Sequence, residues 1–237
     1  MSNSSELDRF VIILVAARNP NNIGAAARAM SNFGFRHLRV VNPYEVAFQE
    51  ARSAVGASAV LASTVQFPTV AEAIADCTFV LGTTAVGERE PAQPVVSLDQ
   101  IAPLLQGQPR TALLFGSEKT GLSNSDLSHC HQLVRIPTRD EHISMNLGQA
   151  VAVCLYEIVR APELRATTPP RNAATVADLE RLTNLLREAL NVSGYDQAAS
   201  AATEQKLRSL VLRLAPSAHD SEALHGMLRQ ILWKLKK

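Results

Sequence analysis

Between residues 10 and 160, apolar and polar positions fall into alternating blocks. Phe10-Val11-Ile12-Ile13-Leu14-Val15 is an unbroken apolar run and predicts a strand buried on both faces. Over 24–33 the spacing changes. Ile23, Ala26, Ala27, Met30 and Phe33 give a short alanine-rich helix a wide apolar side, and Gly34 ends it. His37–Val41 is the next strand, and the short turns on either side of the helix are those of a parallel βαβ unit. Further strands are predicted at 79–81, 111–115 and 132–136, with helices near 46–55, 69–75, 97–105 and 147–160. In the last helix Leu147, Ala150, Val151, Val153, Cys154, Leu155 and Ile158 cover most of the circumference. Deep packing and a subunit interface both account for that.

Three prolines within 161–170 break the pattern, and beyond them it becomes all-helical. Thr175 with Asp178 three residues on forms a capping-box sequence, followed by Leu179, Leu182, Leu186 and Leu190 at helical spacing. Leu207, Leu210, Val211 and Leu214 mark a second helix, and Leu224, Leu228, Ile231 and Leu235 a third. These helices form a small bundle or wrap back onto the first domain. The expected division is an α/β domain over 1–160, a proline-rich linker over 161–173 and a small all-α extension over 174–237.

Composition changes this picture little. No basic segment leads into an apolar stretch at the N-terminus, and the longest apolar runs are strand-length, so the reading is a cytoplasmic protein without a membrane span. Cys77 and Cys154 lie in apolar runs and read as small core residues of a reducing compartment; no CxxC spacing is present. The overall charge of +1 hides an asymmetry. Residues 162–237 carry 11 Lys and Arg against 8 Asp and Glu, whereas 1–161 carry 12 against 14. The tail is the basic end, an excess small enough to suit either a nucleic-acid contact or an ordinary solvated helix end.

Chemistry concentrates in three polar segments beside apolar elements: Asn19-Pro20-Asn21-Asn22-Ile23-Gly24 leading to Arg28, Phe115-Gly116-Ser117-Glu118-Lys119-Thr120-Gly121-Leu122-Ser123, and Ser144-Met145-Asn146-Leu147-Gly148-Gln149. Loops at the carboxyl ends of parallel strands share one crevice, so the three are expected to meet. Asn22 either caps the helix or belongs to an anion site at its N-terminus. Arg28, on a helix otherwise rich in alanine, is either solvated or reaches into a crevice to clamp oxygens. Ser144 is the expected N-cap of the helix after it. No P-loop or G-x-G-x-x-G order occurs, and His129, His131 and His142 have no zinc spacing, so no metal is expected.

Taken together, NNIGAAARAMSNFG, LLFGSEKTGLSNSDL and ISMNLGQAVAVCLYE resemble the SpoU/TrmH-type branch of the SPOUT RNA methyltransferases, and most closely the TrmJ family. The resemblance covers 10–160, and LRSLVLRLAPSAHDSEALHGMLRQILWKLK is similar to that family's helical extension. It implies a parallel α/β sheet with a Rossmann-like start and a deep C-terminal trefoil knot, using roughly 78–86 and 113–160. It implies transfer of a methyl group from S-adenosylmethionine to a ribose 2′-hydroxyl of tRNA at nucleotide 32, cytidine or uridine, leaving S-adenosylhomocysteine. A ribosomal RNA target and a non-catalytic RNA-binding protein are the alternatives. The implied assembly is a homodimer through helix 147–160, and DNA is not an expected partner.

By the same correspondence Arg28 is catalytic, with Asn22, Glu118, Ser144 and Asn146 supporting it. The methyl donor is expected on Leu81, Gly82, Thr83, Thr84, Ala85, Phe115, Gly116, Ile136, Pro137, Ile143, Ser144, Met145 and Leu147. Arg28, Asn19, Arg89 and Lys119 are expected to touch RNA. Two positions depart from the family: Val86-Gly87-Glu88-Arg89 where an arginine often follows the first donor loop directly, and Gly148-Gln149 where Ser or Ala is common after Asn-Leu.

Overall fold

The computed structural model describes residues 4–53, 59–85, 93–139, 144–161, 164, 171–195 and 201–237. The expected contacts at Arg89 and Ile143 lie outside them. In chain order the elements are α1 (Ser4–Leu7), β1 (Phe10–Val15), α2 (Pro20–Phe33), β2 (His37–Val41), α3 (Glu45–Ser53), α4 (Ala59–Ala62), β3 (Val65–Phe67), α5 (Val70–Ala73) and β4 (Phe79–Thr83). There follow β5 (Val95–Ser97), a 3₁₀ turn (Leu98–Gln100), α6 (Ala102–Leu105), β6 (Thr111–Phe115), α7 (Asn124–Leu127), β7 (Gln132–Arg135) and α8 (Leu147–Arg160). The C-terminal helices are α9 (Val176–Ser193), α10 (Ala201–Leu214) and α11 (Ala218–Leu235).

Seven strands pair in parallel in the order β3-β2-β1-β6-β4-β7-β5. The apolar runs occupy the middle: all six residues of β1 and all five of β6 are buried, as a strand covered by helices on both faces requires. β3 and β5 were not legible in the pattern. Each is three residues long, and Val65 and Val95 are exposed on the two edges of the sheet. The helix expected over 97–105 is a 3₁₀ turn and a four-residue helix, because Pro103 has no N–H with which to continue a longer one.

On one face, Phe10, Ile12, Leu14, Leu113 and Phe115 pack under α2, α3, α4 and α8. On the other, Val11, Ile13, Val80, Ala112 and Leu114 pack under α5, α7 and Val176 of α9. Cys77, Cys130 and Cys154 are all buried and unpaired, and burial pushes each thiol upward. Gly148 is explained by the pair α2–α8: a Cβ there would lie 2.6 Å from Ala25 Cβ, so the two helices approach more closely than any larger residue permits.

The extension is both a bundle and a neighbour of the sheet. Ala174, Leu179, Leu182, Val211 and Leu212 form its own core. Thr175 and Asp178 make the expected capping box. Val176 and Ala177 donate backbone hydrogen bonds to the carbonyls of Cys77 (2.8 Å) and Ala75 (3.1 Å), seating the start of α9 under the sheet. Leu228 packs at the edge of the bundle core, whereas Leu224, Ile231 and Leu235 are exposed. No described helix is long and apolar enough to cross a membrane.

Asp76, between α5 and β4, ties together β2 and the start of β6, the two strands that flank β1. Arg39 of β2 grips both of its oxygens (2.6 and 2.8 Å) and Arg110, before β6, reaches one at 2.8 Å. The Arg39 pair holds the Asp76 carboxyl at about 2, against an ordinary 3.8. A lowered folded-state value means stability that is full above the ordinary carboxylate range and lost as pH falls toward 2. Urea midpoints measured from pH 6 to pH 3 are therefore expected to fall less steeply for Asp76→Asn than for the natural chain.

Candidate active site

The three polar segments meet, and Glu118 is what joins them. After β1 the chain turns at Ala16, whose φ of 52° places a non-glycine residue in the left-handed region at a cost of about 1–2 kcal/mol. The turn aims two backbone N–H groups at the β6 loop: Arg18 N donates to Glu118 Oε2 and Asn19 N to Glu118 Oε1, both at 3.1 Å. Asn22 Nδ2 donates to the same Oε1 at 3.0 Å. Asn146 Nδ2 in turn donates to Asn22 Oδ1 at 2.8 Å. One carboxylate thus ties the loop after β1, the start of α2 and, through Asn22, the start of α8. Burial pushes Glu118 upward, but the Asn22 amide and the backbone N–H groups outweigh it and hold the carboxyl below its usual range. Glu118 is therefore ionised at neutral pH and acts as an anchor whose oxygens are already engaged.

The caps differ from expectation in a way that frees these side chains. Helix α2 starts at Pro20, earlier than the expected 24, with Asn19 as its cap: Asn19 Oδ1 accepts from Asn21 N at 2.9 Å, and Pro20 fills a first-turn position that needs no N–H. Asn22 is thus not the cap. Nor is Ser144. Asn146 Oδ1 accepts from Gly148 N (2.9 Å) and Gln149 N (3.3 Å), so Asn146 caps α8 with its oxygen and reaches Asn22 with its nitrogen.

Beside this network lies a cavity of about 490 Å³, within the size range of small-molecule and cofactor sites. Its wall includes Thr83, Thr84 and Ala85 at the end of β4, Phe115 to Leu122 at and beyond the end of β6, Val134, Ile136 and Thr138 around β7, and Ser144, Met145, Leu147 and Ala150 at α8. The β6 loop is folded tightly against itself. Gly121 (φ 66°) donates to Ser117 O at 2.9 Å, and the Ser117 and Thr120 hydroxyls bond at 2.8 Å. Gly116 lies under that turn: a Cβ there would be 2.1 Å from Gly121 C and 2.2 Å from Leu122 N. The β4 loop is pinned by Thr84 N to Val134 O (3.0 Å) and Thr83 Oγ1 to Leu114 O (3.0 Å).

Of the residues expected to hold a donor, Thr83, Thr84, Ala85, Phe115, Gly116, Ile136, Ser144, Met145 and Leu147 line this cavity. Leu81 is buried in the core and Gly82 is closed off by Cys130, Leu133 and Leu122, so neither reaches the wall; Pro137 is exposed beside it. Arg28 is not on the wall either. It stands on the solvent side of α2, one turn from Ala25, where α2 meets α8, and nothing among the described residues bonds to it. Lys119 is exposed at the cavity rim, and Asn19 is engaged with Glu118. His131 Nδ1 accepts from Val80 N at 3.2 Å, and burial pushes it down to about 4, consistent with a neutral structural histidine.

The model of the SpoU rRNA Methylase family matches residues 9–156. This chain belongs to the SpoU methylase family. Among SpoU methylases it is 33% identical to TrmJ of Sodalis glossinidius, named a tRNA (cytidine/uridine-2′-O-)-methyltransferase, over 93% of this chain and 90% of that one. The protein of the same name from Yersinia pestis (strain Pestoides F) is 34% identical, with the same coverage. The crystal structure of TrmJ from Z. mobilis ZM4 superposes with a TM-score of 0.81 at 33% identity, covering 93% of this chain and 98% of that one. Such coverage takes in the helical extension, so this SpoU methylase shares its C-terminal part with a solved relative. Sequence reasoning did not single out Leu122, Leu127, Val134, Thr138 and Ala150 for the cavity wall. The apolar ones read as ordinary core, and only the fold shows that one side of each faces open space.

Proposed function

We propose that this SpoU methylase transfers a methyl group from S-adenosylmethionine to the ribose 2′-hydroxyl of tRNA nucleotide 32, accepting cytidine or uridine, in the cytoplasm. The observation that carries this reading is the convergence of Glu118, Asn22 and Asn146 at the rim of a cavity lined by the β4, β6 and β7 loops. The cavity fits the donor by size and by its donor set: an apolar shelf of Leu122, Leu127, Val134, Ile136 and Leu147, with hydroxyl and backbone groups of Thr83, Thr84 and Ser144 around it. When bound, S-adenosylmethionine supplies an electrophilic methyl on a sulfonium whose leaving thioether is neutral.

The protein's share of the work is to place the hydroxyl. Arg28, bonded to none of the described residues, offers a planar fork to RNA oxygens, orienting the hydroxyl and offsetting charge as it develops. An arginine acts as a base only where a phosphate draws its proton away. Glu118, with both oxygens occupied, fixes the relation between α2 and the cavity. The expected knot places β4, β6 and β7 side by side, and their order in the sheet supports that threading. The 161–173 linker and 174–237 extension complete the proposed organisation, with the basic tail gripping RNA outside the reacting ribose.

The decisive test is methyl transfer from labelled S-adenosylmethionine to anticodon stem-loop RNA. Incorporation that disappears when nucleotide 32 carries a 2′-deoxyribose is the expected result. Incorporation that is indifferent to that change, or that occurs only on ribosomal RNA, overturns the reading. The dimer is tested separately. Val153, Tyr156 and the neighbouring Phe33 ring (centroids 6.2 Å apart) form an apolar strip on the outer side of α2 and α8, with Val153 and Tyr156 exposed. Light scattering at micromolar concentration is expected to give twice the chain mass, and Tyr156→Glu to shift it toward the monomer.

A further inference from the structure

We propose that Arg208, in the helical extension, is a positioning residue for the donor cavity and holds α7 and the β7 edge of the wall in place. The inference rests on the reading of that cavity as the methyl-donor site. Arg208 is only 8% exposed, which is unusual for an arginine and demands partners. Its Nε and Nη2 each lie 3.0 Å from an oxygen of Glu180 on α9, the two-pronged geometry that suits a guanidinium. Its remaining nitrogen crosses to the α/β part: Nη1 donates to Ser128 Oγ at 3.0 Å. Ser128 is buried at the end of α7, and its hydroxyl donates onward to Ser125 O at 2.7 Å. Helix α7 is a single short turn. Leu127 within it and Leu122 just before it both line the cavity.

A second bond from α10 runs to the same wall. Ser209 Oγ accepts from Gln93 Nε2 at 3.3 Å, with both residues buried. Gln93 precedes Pro94, whose carbonyl accepts from Leu133 N of β7 at 2.9 Å. The next residue, Val134, lines the cavity, and its carbonyl receives Thr84 N. Two adjacent residues of α10 thus back two separate parts of the wall. The space left among His129, Glu180, Thr183 and Arg208 is about 10 Å³, room for one water at most. A join packed this closely transmits displacement rather than absorbing it.

A buried ion pair is weak as a source of stability, since desolvation offsets much of the attraction. Geometry is what it specifies, and that separates positioning from glue. The test uses the full chain, with calorimetric titration of S-adenosylmethionine, steady-state kinetics with tRNA, and thermal melts. Ser128→Ala keeps the Arg208–Glu180 pair and removes the link to α7, together with the Ser128 Oγ–Ser125 O bond within that turn. It is expected to weaken donor binding about fivefold, raising KM for the donor more than it lowers kcat, with little change in melting temperature. Arg208→Met is expected to weaken binding further. Arg208→Lys, a point charge in place of a fork, should recover part of the loss. Lys236→Gln removes the α11–α9 pair with Glu188, away from α7, and should bind donor as the natural chain does. If Arg208→Met fails to fold, Ser128→Ala decides. Natural affinity in both Ser128→Ala and Arg208→Lys overturns the proposal, as does a loss shared equally by Lys236→Gln. A natural chain that binds no donor removes the cavity reading itself, an outcome the first titration tells apart.

Discussion

Replacing Arg28 with alanine is expected to lower methyl transfer by about 10²-fold or more while donor affinity stays near its natural value. The two halves of that expectation come from different observations. Arg28 is absent from the cavity wall and bonds to no described residue, so its removal leaves the donor's surroundings untouched. It also carries none of the fold: on the exposed side of α2, its truncation opens no cavity and strands no buried partner. A large loss of rate with donor binding and melting temperature preserved would assign it to the RNA and the reacting hydroxyl. Single-turnover rates with saturating donor and RNA measure the first half, and calorimetry the second. Near-normal turnover by Arg28→Ala would remove the mechanistic assignment.

Gly116→Ala is expected to have the largest effect on the cavity itself. A Cβ at 2.1 Å from Gly121 C meets backbone, which cannot swing aside as a long side chain would, so the β6 loop must open. Overpacking of this kind costs about 3 kcal/mol at its upper end, equivalent to about 10 °C in melting temperature for a chain of this size. Because Phe115 through Leu122 form one side of the cavity, donor binding should weaken more than about tenfold with it. Gly24→Ala is the natural control. Gly24 lies within α2, and a methyl group added there would meet nothing within 4 Å, so the same substitution is expected to raise stability by about 0.5–1 kcal/mol. Equal and small effects at both glycines would mean that the β6 loop is looser than its geometry indicates.

What could be read from the chain, and what could not, follows the range of the interactions involved. β1, β2, β6 and α8 are long, strongly patterned elements, and local sequence is enough to find them. β3 and β5 exist because a neighbouring strand offers its edge, and three residues carry no period of their own. The meeting of the three polar segments followed from the rule for parallel sheets. The identity of the residue that joins them did not: Glu118 lies 96 residues from Asn22 and 100 from Arg18, and no spacing announces a pairing that distant. The misplaced caps share a cause. Asn19 lies three residues from Asn22 and Asn146 two from Ser144, each within reach of the same helix start, and only that start decides which side chain meets the free N–H groups. Arg208 was invisible for the opposite reason. In the sequence it is one arginine on a polar face, and its burial depends on Ser128, 80 residues earlier.

The sheet order carries a consequence for how the molecule comes into being. β5 pairs with β7 alone, although β7 is made some 35 residues later, and the cavity draws its lining from positions as far apart as 83 and 150. The cavity is therefore incomplete on a nascent chain until α8 has emerged from the ribosome, and contacts of such long range form slowly. Until then the strands of the site wait with open edges, the condition in which chains of this type aggregate. On the proposed reading, the closed pocket couples folding to the methyl donor, since a ligand that binds only the folded form stabilises it in proportion to the logarithm of its concentration. Cells poor in methyl donor would then be short not only of substrate for this protein but of the protein itself.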